Sequence, residues 1–202
     1  YGLGTVRYEP QSETPYPISW PWKEIPVDAV WGGIIEVPEK VTVTQSASLQ
    51  VRAGSTVRFG PGAGLEILGS IESKGTKDSR ITYTSMEGKE PGYWDEVSLQ
   101  QAGESSFVHS DFSYGTWGIH SHFTSLKISG CRFTENDGGI LFRSGPLKVS
   151  GSVFMKNRIA IRSFRGVGEI SRNEITANEI GIFVREKGAG LAIHYNNIYA
   201  NE

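Results

Sequence analysis

Hydrophobic positions in the second half of the chain recur at a fixed step. Phe112, Phe133, Phe154 and Ile175 stand 21 residues apart, and so do Ile119, Ile140, Ile161 and Ile182. A third column, Phe107, Ile128, Val149 and Ile170, keeps that step and reaches Ile193 after two extra residues, which we place between Lys187 and Gly190. Within each repeat, apolar and polar residues alternate over short runs, the period of a strand and not of a helix. Leucine-rich horseshoes have repeats of similar length, but their leucine-asparagine signature is missing. The pattern therefore predicts an all-β fold, a right-handed parallel β-helix: a single-stranded solenoid of short strands with coils stacked at ~4.8 Å, so that each column meets itself in the next coil.

Polar positions keep the same rhythm. Asn136, Asn157, Asn178 and Asn201 follow the Phe/Ile column by three residues, where stacked amides can bond along a turn as an asparagine ladder. Two residues before that column stand Ser110, Cys131, Ser152, Asn173 and Asn196, all small or amide-bearing. Cys131 in this setting reads as a packed small residue and not a nucleophile. Upstream, Val41/Val43, Leu49/Val51, Val57/Phe59 and Leu65/Ile67 recur every eight residues with Gly, Ser and Pro between them, as strands and tight turns do. Residues 68–106 are less regular, and MEGKEPGYWDE reads as an excursion around Trp94. Residues 1–30 hold five of the nine prolines, which suits an N-terminal cap, wrap or linker ahead of a β-helix over 31–202. The end, YNNIYANE, falls in mid-coil, so we expect a natural continuation or weak self-association through that coil, an end-to-end assembly role included.

Charge narrows the partners. A net charge of −2 argues against a general nucleic-acid binder. The distribution is uneven, however: residues 1–106 carry 9 basic and 14 acidic groups, residues 107–202 carry 11 and 8. An anion-seeking surface belongs in the second half. One cysteine allows no internal disulfide, no apolar run is long enough to span a bilayer, and YGLGTVRYEP lacks the basic and apolar regions of a signal peptide.

Glycoside hydrolysis generally needs two carboxyl groups about 5–5.5 Å or about 6.5–9.5 Å apart. Stacked columns could supply either separation, yet Asp111 is followed by Arg132, Glu135 by Lys156 and Asp137 by Arg158, a charge ladder and not a catalytic pair. Asp95 and Glu96, as neighbours on a strand, are expected on opposite sides. No residue is assigned a catalytic role, and no cofactor is expected. His120 and His122 share an outward face about 7 Å apart, which offers two metal ligands without a third, so no metal site is assigned.

The outward columns of that strand are His120, Leu141, Arg162, Phe183 and His122, Arg143, Phe164, Arg185. Arginine clamps carboxylate or sulfate bidentately, and aromatic faces stack on sugar rings or guanidinium planes. His120, His122, Arg143, Arg162, Phe164, Phe183 and Arg185 are therefore the candidate glycan-binding residues.

The run WGGIIEVPEKVTVTQSASLQVRAGSTVRFGPGAGLEILGSIESKGT, followed by the asparagine-bearing rungs and NNIYAN, resembles the pectin-lyase-like superfamily over roughly residues 31–202. More narrowly, it is similar to that superfamily's carbohydrate-binding and sugar-hydrolase branch, including NosD-like periplasmic repeat proteins. The resemblance implies an extracytoplasmic bacterial setting (periplasmic, secreted or cell-surface) and a polysaccharide or glycoconjugate partner. The expected function is a non-catalytic module binding such a ligand, or a structural scaffold. The alternative is a polysaccharide-active lyase or hydrolase with its site in the irregular 84–106 region.

Overall fold

A computed structural model describes residues 22–186 and 190–202, together with the backbone of the strands Val6–Tyr8 and Ile18–Ser19. The chain is a parallel β-solenoid of about 8 turns. Its strands form three parallel sheets of nine, nine and eight strands, and no helix occurs among the described residues. One coil shows the plan: Ser105–Val108 belongs to sheet 1, Ser110–Ser113 to sheet 2 and Gly115–His122 to sheet 3.

The predicted columns are the observed register. Phe112 pairs with Phe133, Phe133 with Phe154, Phe154 with Ile175 and Ile175 with Ile198. Ile119, Ile140, Ile161 and Ile182 meet in the same way, as do Phe107, Ile128, Val149, Ile170 and Ile193. Most of the two-residue insertion, 187–189, lies outside the described residues, but the register resumes intact with Gly168 opposite Leu191. Most of the expected N-terminal cap likewise lies outside them. Parallel pairing nevertheless begins upstream of Trp31, since Ala29–Trp31 joins Val6–Tyr8 and Glu24–Ile25 joins Val41–Val43.

Inward residues close-pack along the axis. Tyr83, Phe112, Phe133 and Phe154 stack face to face at 4.6, 4.8 and 4.8 Å, tilted by no more than 4°. That spacing is the strand separation itself, so one aromatic per coil fills the same slot in each. The stack leaves no room at the corner beside it: a Cβ on Gly139 would lie 2.4 Å from the Ala160 carbonyl oxygen and 2.9 Å from the Phe154 ring. Trp94 closes the irregular stretch, buried against Phe59 at 4.5 Å while its Nε1 donates to the Ser113 carbonyl at 2.7 Å.

From His109 onward each coil turns through three corners, and each corner uses a left-handed residue. In one coil these are His109, Tyr114 and Phe123, with φ of 45°, 67° and 54°; in the next, Gly130, Glu135 and Ser144, with φ of 62°, 57° and 52°. Two of the corners are followed directly by a stacked polar residue. Asn136 Nδ2 donates to the Oδ1 of Asn157 at 3.0 Å, Asn157 to Asn178 at 3.0 Å and Asn178 to Asn201 at 2.9 Å. Each Oδ1 also accepts the backbone N–H of the preceding coil, and each Nδ2 reaches a carbonyl of that same preceding coil, as Asn157 does to Phe133 at 2.9 Å. The second column behaves alike: the Cys131 N–H donates to Ser152 Oγ at 3.1 Å, and the Ser152 N–H to Asn173 Oδ1 at 2.9 Å.

Two expectations follow. Asn157→Ala removes a buried middle rung and orphans the Asn136 N–H, so it should destabilise by roughly 1–3 kcal/mol in urea denaturation; an unchanged midpoint would remove the ladder's energetic role. Cys131 is 1% exposed and its thiol is pushed up to about 12 by burial. Iodoacetamide should therefore label it only after denaturation, and rapid labelling of the folded protein would contradict the packing.

Candidate functional site

Sheet 3 carries the candidate residues on its outer face, because Ile119, Ser121, Ile140, Phe142, Ile161 and Ser163 occupy the inner one. Strand alternation turns their neighbours outward. His120 lies opposite Leu141, Leu141 opposite Arg162 and Arg162 opposite Phe183; His122 lies opposite Arg143, Arg143 opposite Phe164 and Phe164 opposite Arg185. All seven predicted site residues thus share one face, but the face divides into two parts.

The first part is a cation-aromatic lattice. The Arg143 guanidinium sits 5.0 Å from the Phe164 ring centre, and that of Arg162 sits 5.6 Å from the Phe183 ring. Arg165, which the sequence pattern did not single out, lies 5.6 Å from the other neighbour of this set, the Phe164 ring, while pairing with Glu186 at 2.7 Å. Among the described residues, Arg143, Arg162 and Arg185 have no carboxylate partner. Elsewhere on the solenoid cations meet acids: Arg158 meets Asp137 at 2.8 Å and Lys156 meets Glu135 at 3.8 Å in the turns between sheets 2 and 3, Lys148 meets Glu169 at 3.9 Å on sheet 1, and Arg80 meets Asp111 at 2.6 Å.

The second part is a hydrogen-bonded chain of three side chains. His120 Nδ1 lies 2.8 and 2.9 Å from the two carboxylate oxygens of Glu96, and its Nε2 lies 2.8 Å from Nε2 of His122. The histidines therefore do not present two separate nitrogens at the ~7 Å strand spacing; their rings lean together to 4.5 Å, at 85° to each other. Glu96 and His120 side chains are only 17% and 18% exposed. His122 is held below the ordinary imidazole value by burial first, then by His120 and Arg143, with Glu96 opposing. Among the described residues, no group of three or more His, Cys, Asp or Glu side chains is placed to hold a metal ion.

Glu96 owes its position to an irregularity. Its strand, Trp94–Gln100, keeps both Asp95 and Glu96 partly exposed, instead of sending them to opposite faces, because the register slips by one residue between Glu96 and Val97 against Trp117 and Ile119. Burial raises the Asp95 carboxyl, and the Glu96 charge raises it further, against Lys40 and His120. Glu66 on the same face bonds Thr42 at 3.1 Å and faces Lys40 at 3.5 Å. The face consequently runs from acidic, through imidazole, to basic along the solenoid axis.

A trough of about 970 Å³ lies elsewhere, on sheet 1, lined by Ser48, Gln50, Glu72, Lys127 and Lys148 among others. Its lysines meet acids: Lys74 pairs with Glu72, Lys127 with Glu104 and Lys148 with Glu169. It offers hydroxyls and neutralised charge, with no aromatic ring in the lining.

No curated protein and no solved structure matches the chain. Residues 71–202 match the family model described as a right handed beta helix region, which takes in the whole candidate face. With parallel register over three sheets and the family match agreeing, the chain belongs to the right-handed β-helix family.

Proposed function

We propose that this chain is a non-catalytic β-helix module whose sheet 3 face binds an anionic polysaccharide or glycoconjugate. The observation that carries the reading is the set of three arginines, Arg143, Arg162 and Arg185, without carboxylate partners among the described residues, on a solenoid where stacked charges otherwise pair. An arginine packed on phenylalanine keeps its N–H edge for an external acceptor, since the cation-π contact uses the face of the guanidinium. Carboxylates or sulfates repeated along a glycan would find the guanidiniums repeated along the coils, with multivalency adding to each weak contact. The resemblance to carbohydrate-binding β-helices supports a sugar as the carrier of that charge, and with it an extracytoplasmic setting.

A second reading is favoured by one observation. Asp95 and Glu96 come from the irregular 84–106 region and lie beside the imidazoles at the edge of the lattice. That neighbourhood of carboxyl and imidazole would suit a polysaccharide lyase or hydrolase. Incubating any bound glycan with the protein and following new reducing ends or ultraviolet-absorbing unsaturated ends separates the two readings, and turnover would replace the first by the second.

For the binding reading, affinity for an acidic glycan such as polygalacturonate should fall as salt rises towards physiological strength. The double variant Arg143→Ala/Arg185→Ala should bind more weakly than Lys127→Ala on sheet 1; equal affinities in the two variants would end the proposal. Phe164→Ala tests the stacking contribution separately. It should reduce the binding that survives at high salt by about 1 kcal/mol, as read by calorimetry.

A further inference from the structure

The three-residue chain at the acidic edge of the face has a proton count that only some states can satisfy. An ionised Glu96 accepts a hydrogen bond, so His120 Nδ1 carries a proton. Nε2 of His120 and Nε2 of His122, 2.8 Å apart, then need one proton between them. Two states meet this need. In one, both rings are neutral and His122 donates to His120. In the other, His120 is an imidazolium, stabilised by the Glu96 carboxylate, and donates to a neutral His122. A second added proton puts N–H on both nitrogens, and the contact becomes a repulsion between two cations.

We propose that Glu96, His120 and His122 form a proton-gated subsite for a carboxylate or sulfate group: uptake of the second proton opens the His120–His122 contact and turns the His122 N–H towards an anion beside Arg143. This inference rests on the anionic-glycan reading of the face. Its geometry comes from the register, since His122 is the direct neighbour of Arg143 on the next coil. The groups facing the pair are all accounted for. Glu96 and Asp95 on the preceding strand favour the charged rings, and Arg143 on the following strand opposes them. The remaining neighbours, Ser98 and Gln100 on one side and Leu141 on the other, are uncharged.

Without a ligand, the second proton is costly, because His122 would join His120 and Arg143 as a third cation in a partly buried patch. This is the direction in which His122 is displaced, below the ordinary imidazole range. An anion bridging Arg143 and His122 removes that cost. By linkage, a ligand that favours proton uptake must bind more tightly when protons are more available. Binding should therefore strengthen on acidification. The sign for the unliganded fold is opposite: a histidine whose folded pKa is depressed contributes stability above the unfolded value of 6.5, and that contribution is lost as pH falls below it.

Two measurements test the subsite. The first is long-range ¹H–¹⁵N NMR of the histidine rings in the free protein between about pH 8 and about pH 5. It should show the His122 ring taking up its proton below the ordinary imidazole range, and Glu96→Gln should move that step further down. A His122 ring that titrates at the ordinary imidazole value would overturn the inference whatever the protein binds. The second is affinity for hexagalacturonate over the same range, where the sugar carboxylates stay ionised. Affinity should rise about fivefold towards the acid end, the scale of one added exposed ion pair, and His122→Gln should flatten the profile. A parent profile already flat would overturn the gated subsite and leave the anionic-glycan reading standing. Absence of binding by the parent at every pH would overturn that reading and the subsite with it.

Discussion

The C-terminal coils depend on a conformational cost that recurs at one corner of each. Residues with a Cβ enter the left-handed region at a cost of roughly 1–2 kcal/mol each, and here Tyr114, Glu135, Lys156, Ala177 and Ala200 all do so at the same corner, with φ of 67°, 57°, 56°, 53° and 51°. A strained turn persists only where its surroundings over-determine it. The surroundings are the amides that follow: in successive coils Asn136, Asn157, Asn178 and Asn201 take up the backbone groups that the corner leaves without a strand partner. The amide cannot bond across coils unless the corners superimpose, which a constant step ensures and which survives the two extra residues before Asn201 because the register resumes beyond them. The 21-residue step is the sequence record of that closure condition.

The functional face follows from the same condition. Identical coil lengths make every outward column straight, so a side chain has a fixed neighbour about 4.8 Å above and below it. On sheets 1 and 2 several of these neighbours are opposite charges, Glu36 beside Arg58, Asp111 beside Arg132 and Lys148 beside Glu169, exposed pairs that contribute little to stability but neutralise one another. On the C-terminal part of sheet 3 the neighbour of an arginine is a phenylalanine. Ring and guanidinium satisfy each other's faces without consuming the cation's charge, and that difference, more than the count of basic residues, distinguishes this surface.

Much of this was legible from the sequence, for physical reasons that particular residues make plain. Phe112, Phe133 and Phe154 were readable as a stack because an axial slot of constant size selects the same side chain in each coil. His122, Arg143, Phe164 and Arg185 were readable as neighbours because alternation and a constant step leave no freedom in register. Glu96 was not. It stands 24 residues before His120, off the 21-residue step, across a strand pair whose register shifts between Glu96 and Val97, an irregularity with no signature in residue type. The corner before the asparagines was also hidden, since its left-handed positions are occupied by tyrosine, glutamate, lysine and alanine instead of glycine, and only the ladder beside it reveals why this is tolerated.

The placement of the histidines explains why a small proton change can matter on so regular a scaffold. Along the axis of sheet 3, the preceding coils set Glu66, Asp95 and Glu96 outward, and the following coils set Arg143, Arg162 and Arg185 outward. Deep within either part, an imidazole would be held to one protonation state by neighbours of a single sign. At the boundary the opposing influences on His122 are close to hand on both sides, Glu96 raising its proton affinity while Arg143 and His120 lower it. An anion arriving at the basic part shifts that balance in one direction only, towards the protonated ring. Glu96, beside the register shift, is the acid within hydrogen-bond reach of that boundary, and through His120 it makes the outermost histidine responsive to what the face holds.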